Sequence, residues 1–264
     1  MPVRDPLLSQ CNDLPAPELP ERGESWACFL DVDGTLLELA ETPDDVTVPP
    51  ALAARLDRLH TLLGGALALV SGRPLGDIDR LFAPLRLPAA GVHGAELRLD
   101  DGSVRHVAFD PERLDPVREA FDRFVGQHGG TLAEDKRFSV TLHFRRRPDL
   151  AAEVHRLGAT LIARLGDELH LLEGKMVLEI RGGAATKGTA VDAFLQEIPF
   201  AGRRPVYLGD DRTDEDAFRV VREAGGVSVV VGTPESTAAT SRLADVAAVH
   251  RWLDALATTL QRDA

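Results

Sequence analysis

The chain has 264 residues, 44% hydrophobic and 27% charged, with a formal net charge of −12. That length and mix predict one larger domain plus a smaller one. The acidic balance argues against a nucleic-acid partner, which would want a basic stripe, but not against an anionic small substrate, because local charge at a site can oppose the net charge. The two cysteines, Cys11 in an expected tail and Cys28 in an expected strand, predict neither a disulfide framework nor a zinc site. No apolar run approaches the roughly 20 residues that span a bilayer. The first 25 residues have no apolar secretory core and are rich in proline and acids. A loosely ordered lead-in over 1–25, no membrane partner and a cytoplasmic location are expected.

In chain order, "WACFLDV" reads as a buried strand and "ALAARLDRLHTLL" as a helix stopped by two glycines. "ALALV" is a second buried strand ending at "SGRP", where Pro74 suits the first turn of a helix through "LGDIDRLF". "AAGVHG" is a third short strand. Strand, helix, strand, helix, strand predicts a parallel sheet with helical crossovers. The pattern then changes. "AELRLDDGSVRHVAF" alternates around Asp101-Gly102, a hairpin signal. Two amphipathic helices follow, "DPERLDPVREAFDRFVGQHGG" and "PDLAAEVHRLGATLIARLG". Strands lie between and after them in "TLAEDKRFSVTLHFR" and "ELHLLEGKMVLEIRGG". These suit an antiparallel sheet with helices on one face. From Thr186, helix "TKGTAVDAFLQEI", strand "PVYLG", helix "TDEDAFRVVREAG", strand "GVSVVVG" and a terminal helix restore the parallel pattern. The expected class is therefore α/β, a doubly wound, mostly parallel sheet core (residues 26–109 and 184–264) interrupted by an inserted α+β domain (110–183).

Within "FLDVDGTLLEL", Asp31 and Asp33 lie one residue apart where a strand should be finishing. In a strand, side chains at i and i+2 share a face, and ligands of open α/β sheets bind outside the carboxyl ends of the strands. Two like charges in such a crevice raise one another's pKa, so something should compensate. An Asx-turn is the structural rival. "YLGDDRTDED" repeats the design, with Asp210 and Asp211 after an apolar strand and Gly209, and Asp214 opening a helix, where it would most simply be an N-cap. A few hard oxygen ligands with room left for a phosphate describe a Mg²⁺ site. Ser71 follows an apolar strand and Lys187 begins a helix. Alone they read as a cap and a surface lysine; with both acidic clusters they form four strand-end features of one design.

Asp31-Val32-Asp33-Gly34-Thr35, Ser71, Lys187-Gly188 and Gly209-Asp210-Asp211 resemble the four ordered motifs of the haloacid dehalogenase superfamily of phosphatases. The stretch Gly209 to Phe218, "SGR" at Ser71 to Arg73 and "GVHGAE" from Gly91 to Glu96 resemble the trehalose-6-phosphate phosphatase family more closely, from Trp26 to the C-terminus. The resemblance implies a Rossmann-like core with a specificity cap. Asp31 would be the nucleophile forming an aspartyl phosphate, and Asp33 the general acid and then base. Mg²⁺ would be bound by Asp31, the Asp33 backbone carbonyl and Asp210. Ser71 and Lys187 would hold phosphoryl oxygens, and Asp211 and Asp214 would orient the cluster from behind. Gly72, Arg73 and His93 would lie beside the substrate, although His93 also reads as a structural histidine. For the sugar, the resemblance carries over Glu134, Lys136, Arg145, Lys175 and Glu179, each with an exposed β-face charge as its rival. The implied substrate is trehalose 6-phosphate, with the synthase expected as a separate protein. Two departures from the family pattern, Val32 and Gly182, remove no catalytic group. Related sugar phosphates, a phosphoacceptor signalling domain and a silent partner of a synthase are the alternatives; the four intact motifs disfavour the last.

Overall fold

A computed structural model describes residues 14–39, 46–174 and 176–263. Cys11 and Lys175 lie outside the described residues. The chain forms two compact units, Met1–Arg105 with Thr186–Ala264, and His106–Ala185. The inserted unit thus begins four residues earlier and ends two residues later than the expected 110–183.

The larger unit opens with β1 (Trp26–Leu30), α1 (Pro50–Leu62), β2 (Leu67–Val70), α2 (Leu75–Phe82), β3 (Ala89–Gly91), β4 (Glu96–Arg98) and β5 (Val104–His106). Pro74 caps α2 from just outside rather than sitting in its first turn. The inserted unit holds α3 (Asp115–Gln127), β6 (Leu132–Asp135), β7 (Ser139–His143), α4 (Ala151–Leu165), β8 (Leu169–Gly174) and β9 (Val177–Gly182). The chain then returns through α5 (Lys187–Leu195), β10 (Arg204–Gly209), α6 (Glu215–Glu223), β11 (Val227–Val231), β12 (Ser241–Leu243) and α7 (Val246–Asp263).

The large sheet has the order β12-β11-β10-β1-β2-β3-β4-β5, parallel from β12 to β3, with β4 antiparallel to β3. The sequence elements Trp26–Leu30, Leu67–Val70 and Val227–Val231 are buried throughout, as strands covered on both faces must be. From β1 the chain winds outward through β2 and β3, and on its return through β10, β11 and β12 on the other side. Right-handed crossovers therefore put α1 and α6 on opposite faces. The reversal falls between β1 and β10, where such sheets open a crevice at their carboxyl ends.

Two features depart from the sequence reading. Edge strand β12 is too short, at Ser-Arg-Leu, to carry a period. The lead-in is not loose over residues 14–25: Leu14 and Leu19 pack against the core, Pro17 and Pro20 are buried, and Arg242 on β12 donates its N–H to the Pro15 carbonyl at 2.9 Å. Two apolar anchors on a proline-stiffened segment cover a sheet edge that would otherwise expose unpaired backbone.

In the inserted unit the sheet order is β6-β7-β9-β8, all antiparallel. Val140, Leu142, Leu178 and Ile180 share a core with Val117, Phe121 and Phe124 of α3 and Val154 and Leu161 of α4. Each such side chain contributes about 1.5–3 kcal/mol by burial. Strand alternation sends the intervening residues to the other face. There the cross-strand register lines up Glu134, Thr141 and Glu179 in one row.

Candidate active site

The first acidic motif begins as β1 runs out. The Asp31 N–H still donates to the Leu208 carbonyl of β10 at 2.9 Å, so Asp31 is held in the sheet ladder while its side chain stands at the strand end. A tight turn follows, with the Gly34 N–H on the Leu37 carbonyl at 2.7 Å. Gly34 has φ +88°, and a Cβ there would lie 2.2 Å from Asp210 Oδ2. Only glycine satisfies both the left-handed backbone and the approach of the second acidic motif.

Lys187 reaches this point from the first turn of α5, which Thr186 and Thr189 close with reciprocal capping bonds. Its Nζ donates to Asp31 Oδ1 at 2.6 Å and to Asp214 Oδ1 at 2.7 Å. Lys187 is only 3% exposed and Asp214 fully buried, so this is an internal ion cluster rather than a surface pair. Asp214 Oδ1 also accepts the Tyr207 hydroxyl at 2.6 Å, and Oδ2 accepts the Asp211 N–H at 2.9 Å. Gly209 makes room for it: a Cβ there would lie 2.3 Å from Asp214 Cγ. The Asp211 carboxylate is turned to the Arg212 N–H at 2.6 Å, capping the short 3-10 turn before α6.

Carboxylate oxygens of Asp31, Asp210 and Asp214 lie within 4.8 Å of one another. Burial pushes the Asp31 carboxyl well up, with Asp214 and Asp210 adding to the effect and Lys187 opposing it. Asp210 is pushed up to about 7 by burial and by Asp214. Burial works against the Lys187 charge, but Asp214 and Asp31 together outweigh it and hold its pKa above the ordinary lysine value. The buried Asp210 Oδ1 has no hydrogen-bond partner among the described residues. Carboxylates in excess of ammonium, with an unpartnered buried oxygen, fit a hard divalent cation.

Asp33 does not join this cluster through a described bond. Its carboxylate takes a two-pronged bond from Arg73, Nε to Oδ2 and Nη2 to Oδ1, both at 2.7 Å. The neighbouring aspartates are thus divided between two cations. Ser71, 1% exposed at the end of β2, accepts the Arg73 N–H on its hydroxyl at 3.1 Å. Gly72 packs under the His93 ring, whose Cε1 and Nε2 would lie 2.7 Å from a Cβ there. His93 sits in a strained stretch, with φ +46° at Val92 and +54° at His93. The Val92 N–H on the Arg73 carbonyl and the His93 N–H on the Ser71 carbonyl, both 2.9 Å, hold it there. Left-handed backbone at a β-branched residue persists only where its surroundings over-determine it.

In the inserted unit, Lys136 lies just past β6, yet its Nζ remains 4.0 Å from Glu134 Oε2 and 3.8 Å from Glu179 Oε2. His143 Nε2 bonds Glu134 Oε2 at 2.8 Å. Burial acts to raise the Glu134 pKa, but the His143 bond and Lys136 outweigh it and hold it below the usual value. Glu134, Lys136 and Glu179 are therefore brought together. Arg145 is exposed in the turn after β7. Tyr207 and His143 escaped the sequence reading. Tyr207 looks like any apolar strand residue, and its lone hydroxyl beside Gly209 was the one available signal. His143 alternates with Thr141 toward the polar sheet face, which periodicity alone does not connect to Glu134.

A family model described as trehalose-phosphatase matches residues 29–247. The chain is 48% identical over 211 residues to a probable trehalose-phosphate phosphatase of Sinorhizobium fredii, covering 80% of this chain and 79% of that protein. It is 41% identical over 249 residues to the trehalose-6-phosphate phosphatase of Escherichia coli, covering 94% and 92%. A solved trehalose-6-phosphate phosphatase C-terminal domain of C. albicans superposes with a TM-score of 0.81 over 89% of this chain and 93% of that one, at 22% identity, a likeness of fold. The matched span contains every acidic residue of the strand-end cluster together with Lys187, and on these grounds the chain belongs to the trehalose-phosphatase family.

Proposed function

We propose that the protein is a Mg²⁺-dependent phosphomonoesterase that hydrolyses trehalose 6-phosphate to trehalose and phosphate. The observation that carries this reading is the division of the adjacent aspartates, with Asp31 on buried Lys187 and Asp33 in the fork of Arg73. One carboxylate is paired with a buried, fixed ammonium; the other stands apart with a different partner. Those are the separate environments that a nucleophile and a proton carrier need.

In the reaction, Asp31 attacks phosphorus, the bond to the sugar oxygen breaks, and Asp33 delivers a proton to that oxygen. Water then attacks phosphorus, Asp33 takes its proton, and Asp31 is released with inorganic phosphate. Ser71 and Lys187 hold the phosphoryl oxygens, and Lys187 offsets charge as it develops. Arg73, drawn to the substrate with Gly72 and His93 around it, leaves the Asp33 carboxyl clear. Mg²⁺, held by the Asp31 and Asp210 carboxylates and the Asp33 backbone carbonyl, would neutralise the transferring group. Asp214 and Asp211 hold this arrangement from behind. The inserted unit serves as the sugar-selecting cap, with Glu134, Lys136 and Glu179 as a hydrogen-bonding set and Arg145 and Lys175 as further candidate sugar contacts. The synthase that supplies the substrate is a separate protein, and the reaction is cytoplasmic. Among the described residues no helix is long and apolar enough to cross a membrane.

Phosphate release with Mg²⁺ tests the reading on trehalose 6-phosphate, sucrose 6-phosphate, mannosyl phosphoglycerate and glucose 6-phosphate. Trehalose 6-phosphate should lead in kcat/KM by at least about tenfold. A lead by another sugar phosphate would replace the substrate. An isolable aspartyl phosphate without turnover would replace the enzyme by a phosphoacceptor domain.

A further inference from the structure

Tyr207 is the only tyrosine in the chain. It sits within β10, fully buried and opposite Phe29 of β1. Its ring meets Phe218 of α6 edge-on, with centroids 5.7 Å apart and planes at 79°. Phenylalanine would fill the same space without a polar atom to satisfy, whereas a buried phenol needs a partner. The partner is Asp214 Oδ1, at 2.6 Å, the same oxygen that takes Lys187 Nζ at 2.7 Å. With the Asp211 N–H on Oδ2, the Asp214 carboxylate has donors on both oxygens and no exposed surface. Lys187 lies between this carboxylate and Asp31.

We infer that Tyr207 is a positioning residue of the phosphoryl-transfer site: by sharing Asp214 Oδ1 with Lys187, its hydroxyl sets how far the ammonium is given over to Asp31. The inference rests on the phosphatase reading, in which Lys187 and Asp31 act at phosphorus. An acceptor oxygen with two donors binds each less strongly than it would bind one. Without the phenol O–H, Asp214 Oδ1 has Lys187 alone. It then draws the ammonium away from Asp31, and the carboxylate is freer to turn about its Cβ–Cγ bond. Lys187 acts on charge that develops during transfer, so the loss falls on kcat rather than on sugar binding.

The test is Tyr207→Phe, assayed on trehalose 6-phosphate and on p-nitrophenyl phosphate with Mg²⁺. The expected result is a roughly three- to tenfold fall in kcat on both substrates, with KM within about twofold and Tm within a few degrees of wild type. The single tyrosine provides a second readout. Expression with 3-fluorotyrosine labels position 207 alone, and the ¹⁹F resonance should move on Asp214→Asn and on Lys187→Ala. An unchanged kcat, a KM effect confined to trehalose 6-phosphate, or a fluorine resonance indifferent to Asp214→Asn would overturn the inference. The fluorine measurement decides if Tyr207→Phe does not fold. Wild-type turnover of p-nitrophenyl phosphate but not of trehalose 6-phosphate would sink the substrate assignment while leaving this inference standing.

Discussion

The two units each gather carboxylates around a lysine, and the balance of charge differs. In the larger unit Asp31, Asp210 and Asp214 surround Lys187, and the Asp31 and Asp210 carboxyls are pushed up, Asp210 to about 7. In the inserted unit Glu134 and Glu179 meet Lys136, His143 joins Glu134, and the Glu134 carboxyl is held down. Burial raises carboxyl pKa values in both; what decides the outcome is whether enough cationic and donor groups answer it. The first cluster is left short of positive charge and fits a metal ion. In the second, His143 and Lys136 answer Glu134, and the set presents hydrogen-bonding groups, which suit a neutral sugar. Like residue types thus end in opposite electrostatic states because their surroundings differ.

Asp31→Asn should break the first cluster most severely. It removes the proposed nucleophile, and kcat should fall by at least about 10³-fold on any phosphomonoester, measured as phosphate release. Glu179→Ala or Lys136→Ala should damage only the second cluster. We expect kcat/KM for trehalose 6-phosphate to fall about 10- to 100-fold, with p-nitrophenyl phosphate turnover within about twofold of wild type. Equal losses on both substrates would erase the division of labour between the units.

A pH experiment sharpens the charge argument. In metal-free protein the raised Asp210 pKa means that the folded state keeps a proton which the unfolded chain, near pKa 3.9, gives up. Stability is therefore lost as pH rises through the window from about 4 to about 7. By thermal melts in EDTA, Tm of the wild type should fall more steeply between pH 5 and pH 8 than that of Asp210→Asn, by about 3–5 °C. Mg²⁺ should raise Tm more at the upper end. The smallest effect is expected from His143→Ala, which removes one bond to Glu134. KM for trehalose 6-phosphate should rise about threefold, in keeping with one lost hydrogen bond, with kcat little changed.

Much of this protein was legible along the chain, because its signals are local. Buried runs such as Leu67–Val70 and Val227–Val231 announce strands, the glycines at 34 and 209 mark sharp strand ends, and the amphipathic helices and alternating strands from residue 110 onward announce the insertion. The acidic pairs, Ser71 and Lys187 could be picked out because each stands beside such a signal. Edge strand β12 and the packing of residues 14–25 had no such marker: each depends on a neighbour distant in sequence.

What the sequence alone determined is the list of chemical groups and the kind of element carrying each, since periodicity and turn residues report on a few neighbouring positions. Tertiary structure decided the partners. Lys187 and Asp31 are separated by 156 positions and meet at 2.6 Å because strand order places β1 beside β10 and α5 near the strand ends. The same long-range placement gives Asp33 to Arg73, 40 positions on, while the turn after β10 brings Tyr207 to Asp214 over 7 positions and the antiparallel pairing of β6 with β7 brings His143 to Glu134 over 9. A carboxylate's protonation depends on what lies within a few ångströms of it, and that distance is set only when the sheet is assembled.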